Sequence, residues 1–380
     1  MFNYIVVGAG LAGSVMAERI ATQLNETVLV VDKRNQIAGN CFDEKDDNGI
    51  IIHKYGPHLF HTDNEDVWKY LSRFTSWRYY QHRVLAEIDG RKIVIPLNFN
   101  SIDDLFSKGV SEKLQESLLS RFQMNSRVSI LELKRLQDPN IQLFTDFAYE
   151  KVFLNYTMKQ WGLKPEQIQP QVTARVPIVI GRDDRYFQDK FQGVPILGYT
   201  KMIQNILKHR NIKLLLNTDF KEIAQVRNNH IYFLGKKFKG KIIYTGAIDE
   251  LFDYKVGVLP YRSLRIDFHS LPQGLYQNTA TVNYPNNYEF TRITEYKHIH
   301  PVSSDKTTIS LEYPQQFEHE KNERFYPVFT EDSKRQYKRY FTYSKRFKNL
   351  HLLGRLAEYE YFDMDDVISR ALKIFKETMI

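Results

Sequence analysis

Cysteine is almost missing from this chain: Cys41 is the single one in 380 residues. That excludes an internal disulfide framework and points to a reducing, cytoplasmic setting. Beyond the N-terminal segment there is no uncharged apolar run of roughly eighteen residues, so no transmembrane helix and no membrane insertion are expected. The uncharged opening itself, Met1 to Ala17, lacks a basic start, and its glycines would break an apolar helix, which argues against a signal peptide. Also missing are metal-ligand spacings, a convincing Ser-His-Asp set and a paired-carboxylate acid and base. No metal is expected.

What is present begins with charge. Lys and Arg number 53 against 45 Asp and Glu, a net +8. Such a balance suits nucleic acid, an anionic surface or phosphate-bearing small molecules. The basic residues are mostly interspersed with acidic ones, so no nucleic-acid partner is expected. The densest basic run, Lys345-Arg346-Phe347-Lys348, reads as a solvated approach to a strand. Phosphate-bearing small molecules would account for several of the charges. The 24 Tyr and 25 Phe suggest a site lined with rings that stack on bases and sugars. Length and a 42% hydrophobic content allow two or three domains with real cores.

The segment Tyr4 to Val7 is short, apolar and β-branched, and it ends in Gly8-x-Gly10-x-x-Gly13. A helix-compatible run, Ser14 to Gln23, follows, and then Thr27 to Val31 closes on Asp32. Strand, glycine turn, helix and parallel strand with an acidic end form the dinucleotide-binding pattern. Gly8 permits the turn, Gly10 lets backbone approach a pyrophosphate, and Gly13 lets helix and strand pack closely. The helix start offers unpaired N–H groups to phosphate. Asp32 is placed for a ribose hydroxyl.

After Asp32 come Lys33, Arg34 and a second glycine turn, Ala38-Gly39-Asn40, typical of FAD-binding chains. Then follows His53-Lys54-Tyr55-Gly56-Pro57-His58-Leu59-Phe60-His61-Thr62. Here the chain resembles the bacterial, FAD-dependent UDP-galactopyranose mutases, whose GPHxFHT segment lies against the flavin ring. Alone, His58 and His61 read as turn histidines satisfied by backbone; the resemblance puts both beside the cofactor and gives His61 a catalytic role. Ala38 stands where that family commonly has glycine, a change that costs little unless φ there is positive.

Trp77 to Pro96 alternates as strands around Asp89-Gly90, with Val84, Ala86 and Ile88 on one face. From Ser101, a cap-like start, to Gln167 the signals are helical, broken at Pro139. Phe153, Tyr156, Thr157, Gln160 and Trp161 share a helical face. That stripe reads by itself as core-facing; by resemblance Phe153, Tyr156, Thr157 and Trp161 form the uridine side of the substrate site. In the same way Arg175 is a lid arginine that clamps the diphosphate, with Arg292 as the second clamp. Tyr186, Arg262, Tyr326 and Tyr361 would line the substrate. Helix Pro195–Met202 and strands Lys213–Leu216 and Lys241–Tyr244 lead back to the first domain. Leu264 to Leu311 alternates as antiparallel strands. Near the end, Gly354-Arg355 and an acidic helix start with Asp363 recur in FAD chains of this kind.

The expected architecture is α/β, with three parts. Residues 1–78, 196–252 and 345–380 would form a discontinuous Rossmann-like FAD domain. Residues 98–165 would form an inserted helical domain. Residues 79–97, 166–195 and 253–344 would form an antiparallel sheet domain carrying a mobile lid over about 166–185. The cofactor-binding set is Gly8, Gly10, Gly13, Asp32, Lys33, Gly39, Asn40, His58, His61, Arg355 and Asp363. Resemblance implies the reaction: UDP-galactopyranose and UDP-galactofuranose interconvert by ring contraction with no net redox change. In it, N5 of reduced FAD attacks the anomeric carbon, and the product feeds cell-surface polysaccharide. It also implies a nicotinamide or other reductant and a homodimer. The alternative is an FAD oxidoreductase of the amine-oxidase type.

Overall fold

A computed structural model describes residues 2–163 and 176–379. Five parallel strands make the central sheet, in the order Ile212–Leu215, Val28–Val31, Tyr4–Val7, Lys241–Tyr244 and Leu350–Leu352. Val28–Val31 is buried along its whole length, as a strand covered on both faces must be. Helix Leu11–Gln23 crosses between the first two strands in sequence, and the final helix, Met364–Thr378, packs beside it. Among the described residues no helix is long and apolar enough to cross a membrane.

A second, seven-stranded sheet runs Tyr326–Pro327, Tyr261–Leu271, Thr307–Gln316, Arg292–Glu295, Thr281–Asn283, Val84–Ile88 and Arg91–Ile95. It is antiparallel except where Thr281–Asn283 lies parallel to Val84–Ile88. Asp89 and Gly90 both have positive φ at the hairpin between the last two strands, and Val84, Ala86 and Ile88 face the core. A small sheet, Phe60–Thr62 with Phe191–Pro195 and Trp77–Tyr79, ties the early chain to the segment after residue 176.

Against the Val84–Ile88 and Arg91–Ile95 hairpin of the larger sheet packs a core of helices, Phe99–Leu105, Lys108–Leu119, Ile130–Leu133, Pro139–Ala148 and Asn155–Trp161. Several local readings shift. Helix one starts at Leu11, not Ser14, because the glycine turn is already complete at Gly10. Ser101 is not the cap of its helix. Asn98 caps it, accepting from the backbone N–H of Asn100 and Ser101, while Ser101 Oγ accepts from Asn98 N–H. Pro139 opens a helix at its first position, where a missing N–H costs nothing. Ala38 has φ +79, the condition under which its methyl is not cheap.

Candidate active site

The glycine turn forms the floor of a cavity of about 940 Å³. Gly8 sits at φ +107, and a Cβ there would meet Thr245 Oγ1 at 2.0 Å. A Cβ on Gly13 would stand 1.9 Å from Gly8 O, so helix and turn touch backbone to backbone. Gly10 is different: a Cβ there meets nothing closer than Gly39 Cα at 3.7 Å, so what that glycine leaves open is cavity. Gly10 provides no side-chain cap to the helix it begins, and the first N–H groups are left for a ligand. Asp32 Oδ2 accepts from Ala9 N–H at 2.7 Å and Oδ1 from Arg34 N–H at 2.9 Å, which aims the carboxylate along the cavity edge. Lys33, Gly39, Asn40, His58, Arg355 and Asp363 line the same space. These residues fit a flavin dinucleotide, with open backbone room at Gly10 and an oriented hydrogen-bond acceptor at Asp32.

The loop before the site is locked by imidazoles. His58 Nδ1 lies 2.8 Å from Gly56 O, so it carries the proton and donates. His53 Nδ1 accepts from His58 N–H at 2.9 Å, which leaves His53 Nε2–H to donate to His300 Nε2 at 3.0 Å. Burial lowers all three: His53 well down, His58 and His300 to about 4. At neutral pH they are uncharged hydrogen-bonding parts of a rigid turn. Gly56 itself holds φ +88.

His61, on strand Phe60–Thr62, stacks on Phe187 with centroids 3.7 Å apart and planes at 15°. Its Nδ1 is 3.1 Å from Asp189 Oδ2. The carboxylate therefore fixes which ring nitrogen carries hydrogen. His61 and hydrogen bonding hold Asp189 below its ordinary range despite burial. Next to it Thr62 Oγ1 donates to Asp365 Oδ2 at 2.8 Å. His82, lowered to about 3 by burial with Arg292 and His61 near it, accepts or donates at Nδ1 to the Tyr80 hydroxyl, 3.3 Å away.

Arg292 and Glu312 form the electrostatic centre. They are direct cross-strand partners in the large sheet, so both side chains leave the same face. Arg292 Nε lies 2.7 Å from Glu312 Oε2, and Glu312 is 1% exposed. The pair contacts at an angle too poor for a hydrogen bond, and Glu312 Oε1 has no hydrogen-bond partner among the described residues. A Cβ on Gly56 would stand 3.5 Å from Glu312 Oε1 and 3.9 Å from Arg292 Nη2, which puts the pair against the cofactor-side loop. Glu312 is the main influence keeping Arg292 charged against burial.

The helix that carries the aromatic stripe is not regular. A π-helical segment, Tyr149–Leu154, precedes Asn155–Trp161 and advances the register, so Phe153 turns into the helical core. Tyr156 faces the other way: Arg292, Tyr186, Glu312 and Tyr326 all act on its hydroxyl, whose pKa burial raises. Thr157 is buried. Trp161 lies 6.0 Å from Tyr326, which is parallel to Tyr361 at 6.0 Å. The Arg355 guanidinium stands 5.5 Å and 5.2 Å from those two rings and donates to Phe362 O, joining the cofactor cavity to the tyrosine cluster. Tyr186 is edge-on to His82 at 5.7 Å.

Arg262 is occupied differently from the expected substrate contact. Its Nε and Nη2 donate to Gln160 O and Lys159 O, both at 2.9 Å, capping the helix end ahead of Gly162. Burial favours that use, because two helix carbonyls satisfy a half-buried guanidinium. Arg175 and residues 166–175 of the lid stretch lie outside the described residues. Glu312 and Asp189 were missing from the sequence-based set. Glu312 had a signal, since the run Glu312-Tyr313-Pro314 resembles the family's, but its pairing with Arg292 is readable only from strand register.

The family profile described as UDP-galactopyranose mutase matches residues 151–361, and one described as NAD(P)-binding Rossmann-like domain matches residues 6–74. A UDP-galactopyranose mutase of Mycoplasma pneumoniae is 34% identical, the match covering 98% of this chain and 94% of that one. A dTDP-fucopyranose mutase of Escherichia coli is 30% identical, covering 98% and 97%. The crystal structure of a reduced UDP-galactopyranose mutase superposes with a TM-score of 0.74 at 15% identity, covering 100% of this chain and 94% of that one. The last shows a common fold.

Proposed function

The chain belongs to the UDP-galactopyranose mutase family, and from that premise we propose that it interconverts UDP-galactopyranose and UDP-galactofuranose with FAD in the glycine-floored cavity, active when reduced. Bound there, reduced flavin supplies an electron-rich ring nitrogen, N5, as nucleophile for the anomeric carbon. One observation carries the reading: a permanently charged arginine, held by a buried carboxylate, stands against the loop that lines the cofactor cavity.

The protein's own work is then electrostatic and positional. Arg292 faces the charge that grows on the departing diphosphate, and the hydroxyls of Tyr326 and Tyr361 add donors. Arg175 is the second clamp in this reading; a guanidinium fork matches two phosphate oxygens and keeps its charge. Tyr156 and Trp161 hold UDP in place while the sugar rearranges. His61, oriented by Asp189, presents its other ring nitrogen to the reacting sugar. Arg262 acts one step back, by fixing the helix end that bears Trp161. An external nicotinamide or other donor for the flavin, a homodimeric assembly, a cytoplasmic setting and supply of galactofuranose to surface polysaccharide belong to the same reading.

The dTDP-fucopyranose mutase relative supports a second substrate, a dTDP-linked 6-deoxysugar, on the same chemistry. Dithionite-reduced enzyme is mixed with each furanose nucleotide in turn, and the six-membered isomer is sought by chromatography. Conversion of UDP-galactofuranose by reduced but not oxidised enzyme is expected, with many turnovers per reducing equivalent. Conversion of the dTDP sugar alone would transfer the assignment to that substrate. One product per electron pair would make the protein an oxidoreductase.

A further inference from the structure

Net charge on this protein is not evenly spread. Residues 334–348 hold seven Lys and Arg and no Asp or Glu, nearly the whole excess of 53 − 45 = +8. Most of that stretch is helix Glu331–Ser344, capped at Thr330 and laid on the core beside the central sheet. Ser333, Tyr340 and Ser344 are its buried face. At about 100° per residue, the basic side chains from Lys334 to Arg346 fall within an arc of roughly 140° on the opposite face. All of them are exposed.

The carboxylates on this helix collect at one end. Glu331 reaches Lys334 at 3.7 Å, and Asp332 pairs with Arg335. Glu360 is near Lys334 as well. Among the described residues, Lys338, Arg339, Lys345, Arg346 and Lys348 have no carboxylate within 4.0 Å. Asn349 donates to Phe238 O and Gly240 O, which draws exposed Lys239 to the same end. Five adjacent cations without counter-charge repel one another, a cost that a bound polyanion removes.

Apolar side chains flank the stripe. Phe341 is 40% exposed on one side and Val258 is 56% exposed on the other, its loop held by Gln336. Lys345 Nζ lies 4.3 Å over the Phe341 ring, covering a face on which a nucleic-acid base would stack. A cationic helix lying flat, some 21 Å long with large apolar groups at its margins, suits the headgroup boundary of a bilayer. We infer that this helix face is a peripheral docking surface for membranes rich in anionic phospholipid. The protein rests on such a surface and does not insert into it. None of residues 334–348 lines the cofactor cavity.

The test sediments flavin-loaded enzyme with phosphatidylcholine vesicles made with and without phosphatidylglycerol, at low and high salt. Binding is expected only with phosphatidylglycerol and should fall as salt rises. Each Lys or Arg changed to Gln should weaken partitioning about fivefold, about 1 kcal/mol. The triple variant Lys338→Gln, Arg339→Gln, Arg346→Gln should thus lose about two orders of magnitude while keeping flavin content and turnover. Phe341→Ser should weaken vesicle binding severalfold without altering its salt dependence. No sedimentation with anionic vesicles at low salt overturns the inference, as does full binding by the triple variant. Indifference to Phe341→Ser, with duplex DNA displacing the vesicles, would make the face a nucleic-acid surface instead.

Discussion

Arg292→Ala separates what the buried ion pair does for stability from what it does for turnover. Removing the guanidinium strands Glu312, which is 1% exposed. Breaking a buried pair ordinarily costs about 3–5 kcal/mol. Here the penalty has a ceiling, because the stranded carboxyl can take up a proton. An ordinary glutamate titrates near 4.3, so neutralising one at pH 7 costs at most about 3.7 kcal/mol, and at pH 5 about 1 kcal/mol. The sign follows from linkage. A stranded acid has its folded-state pKa raised above the unfolded value, so stability falls as pH climbs between the two. The variant's deficit should therefore be small near pH 5 and grow towards pH 7. Because a quarter of Arg292 remains exposed, water can reach the gap, and about 2–3 kcal/mol at pH 7 is the expected size.

Denaturant unfolding of flavin-saturated protein at several pH values measures this, with flavin held constant so that its binding does not masquerade as stability. The double variant Arg292→Ala, Glu312→Gln should recover most of the lost stability, since the stranded charge is gone. It should recover no turnover, which both variants lose by roughly 10²–10³-fold. A deficit that is flat across pH, or a double variant no steadier than the single, refutes the argument from the stranded carboxylate. Near-normal turnover in both would remove Arg292 from the reaction.

Asp189→Ala frees the His61 ring, so turnover should fall roughly 10²-fold, and nitrogen NMR of the imidazole should show mixed tautomers where the parent shows one. An unchanged ring signal would mean Phe187 stacking alone orients His61. Tyr156→Ala should weaken UDP binding to the oxidised enzyme by about 1–3 kcal/mol in a displacement titration; unaltered affinity would place the base elsewhere. Gly10→Ala meets only ordinary contact in the protein, 3.7 Å to Gly39 Cα, and should fold normally yet purify without colour. A yellow Gly10→Ala protein would show that the pyrophosphate does not lie over that residue.

What could be read in advance, and what could not, divides along a physical line. The parallel sheet was legible because its information is local: Tyr4 to Asp32 carries period, glycine spacing and acidic end within one stretch, and the pairing of Tyr4–Val7 with Val28–Val31 follows from the handed crossover. The hairpin at Asp89-Gly90 was legible for the same reason. Ala38 marks where such reading stops. Its identity argued for an ordinary backbone, while its φ of +79 is set by Ala38 N–H donating to Ala9 O, a contact between two turns that must close on one another. The π-helical segment Tyr149–Leu154 is a second case, since periodicity assumes an unbroken 3.6 repeat and cannot see an inserted residue.

The pair Arg292 and Glu312 is the sharper example. An arginine within a strand is usually a surface charge, and an acid twenty residues later is usually another. Only strand register makes them neighbours, and the carboxylate beside it keeps the guanidinium charged although burial opposes that charge. The same dependence explains why Arg262 proved to cap a helix: nothing in Tyr261–Leu271 says that helix Asn155–Trp161 ends beside it. Residue type set the chemistry available at each of these positions, and the fold decided which group received it. Stability and function are consequently not independent at Glu312. The carboxylate that costs energy to bury is tolerated because it keeps a guanidinium charged and aimed at the cofactor-side loop, which is why the double variant should be steadier than Arg292→Ala and just as inactive.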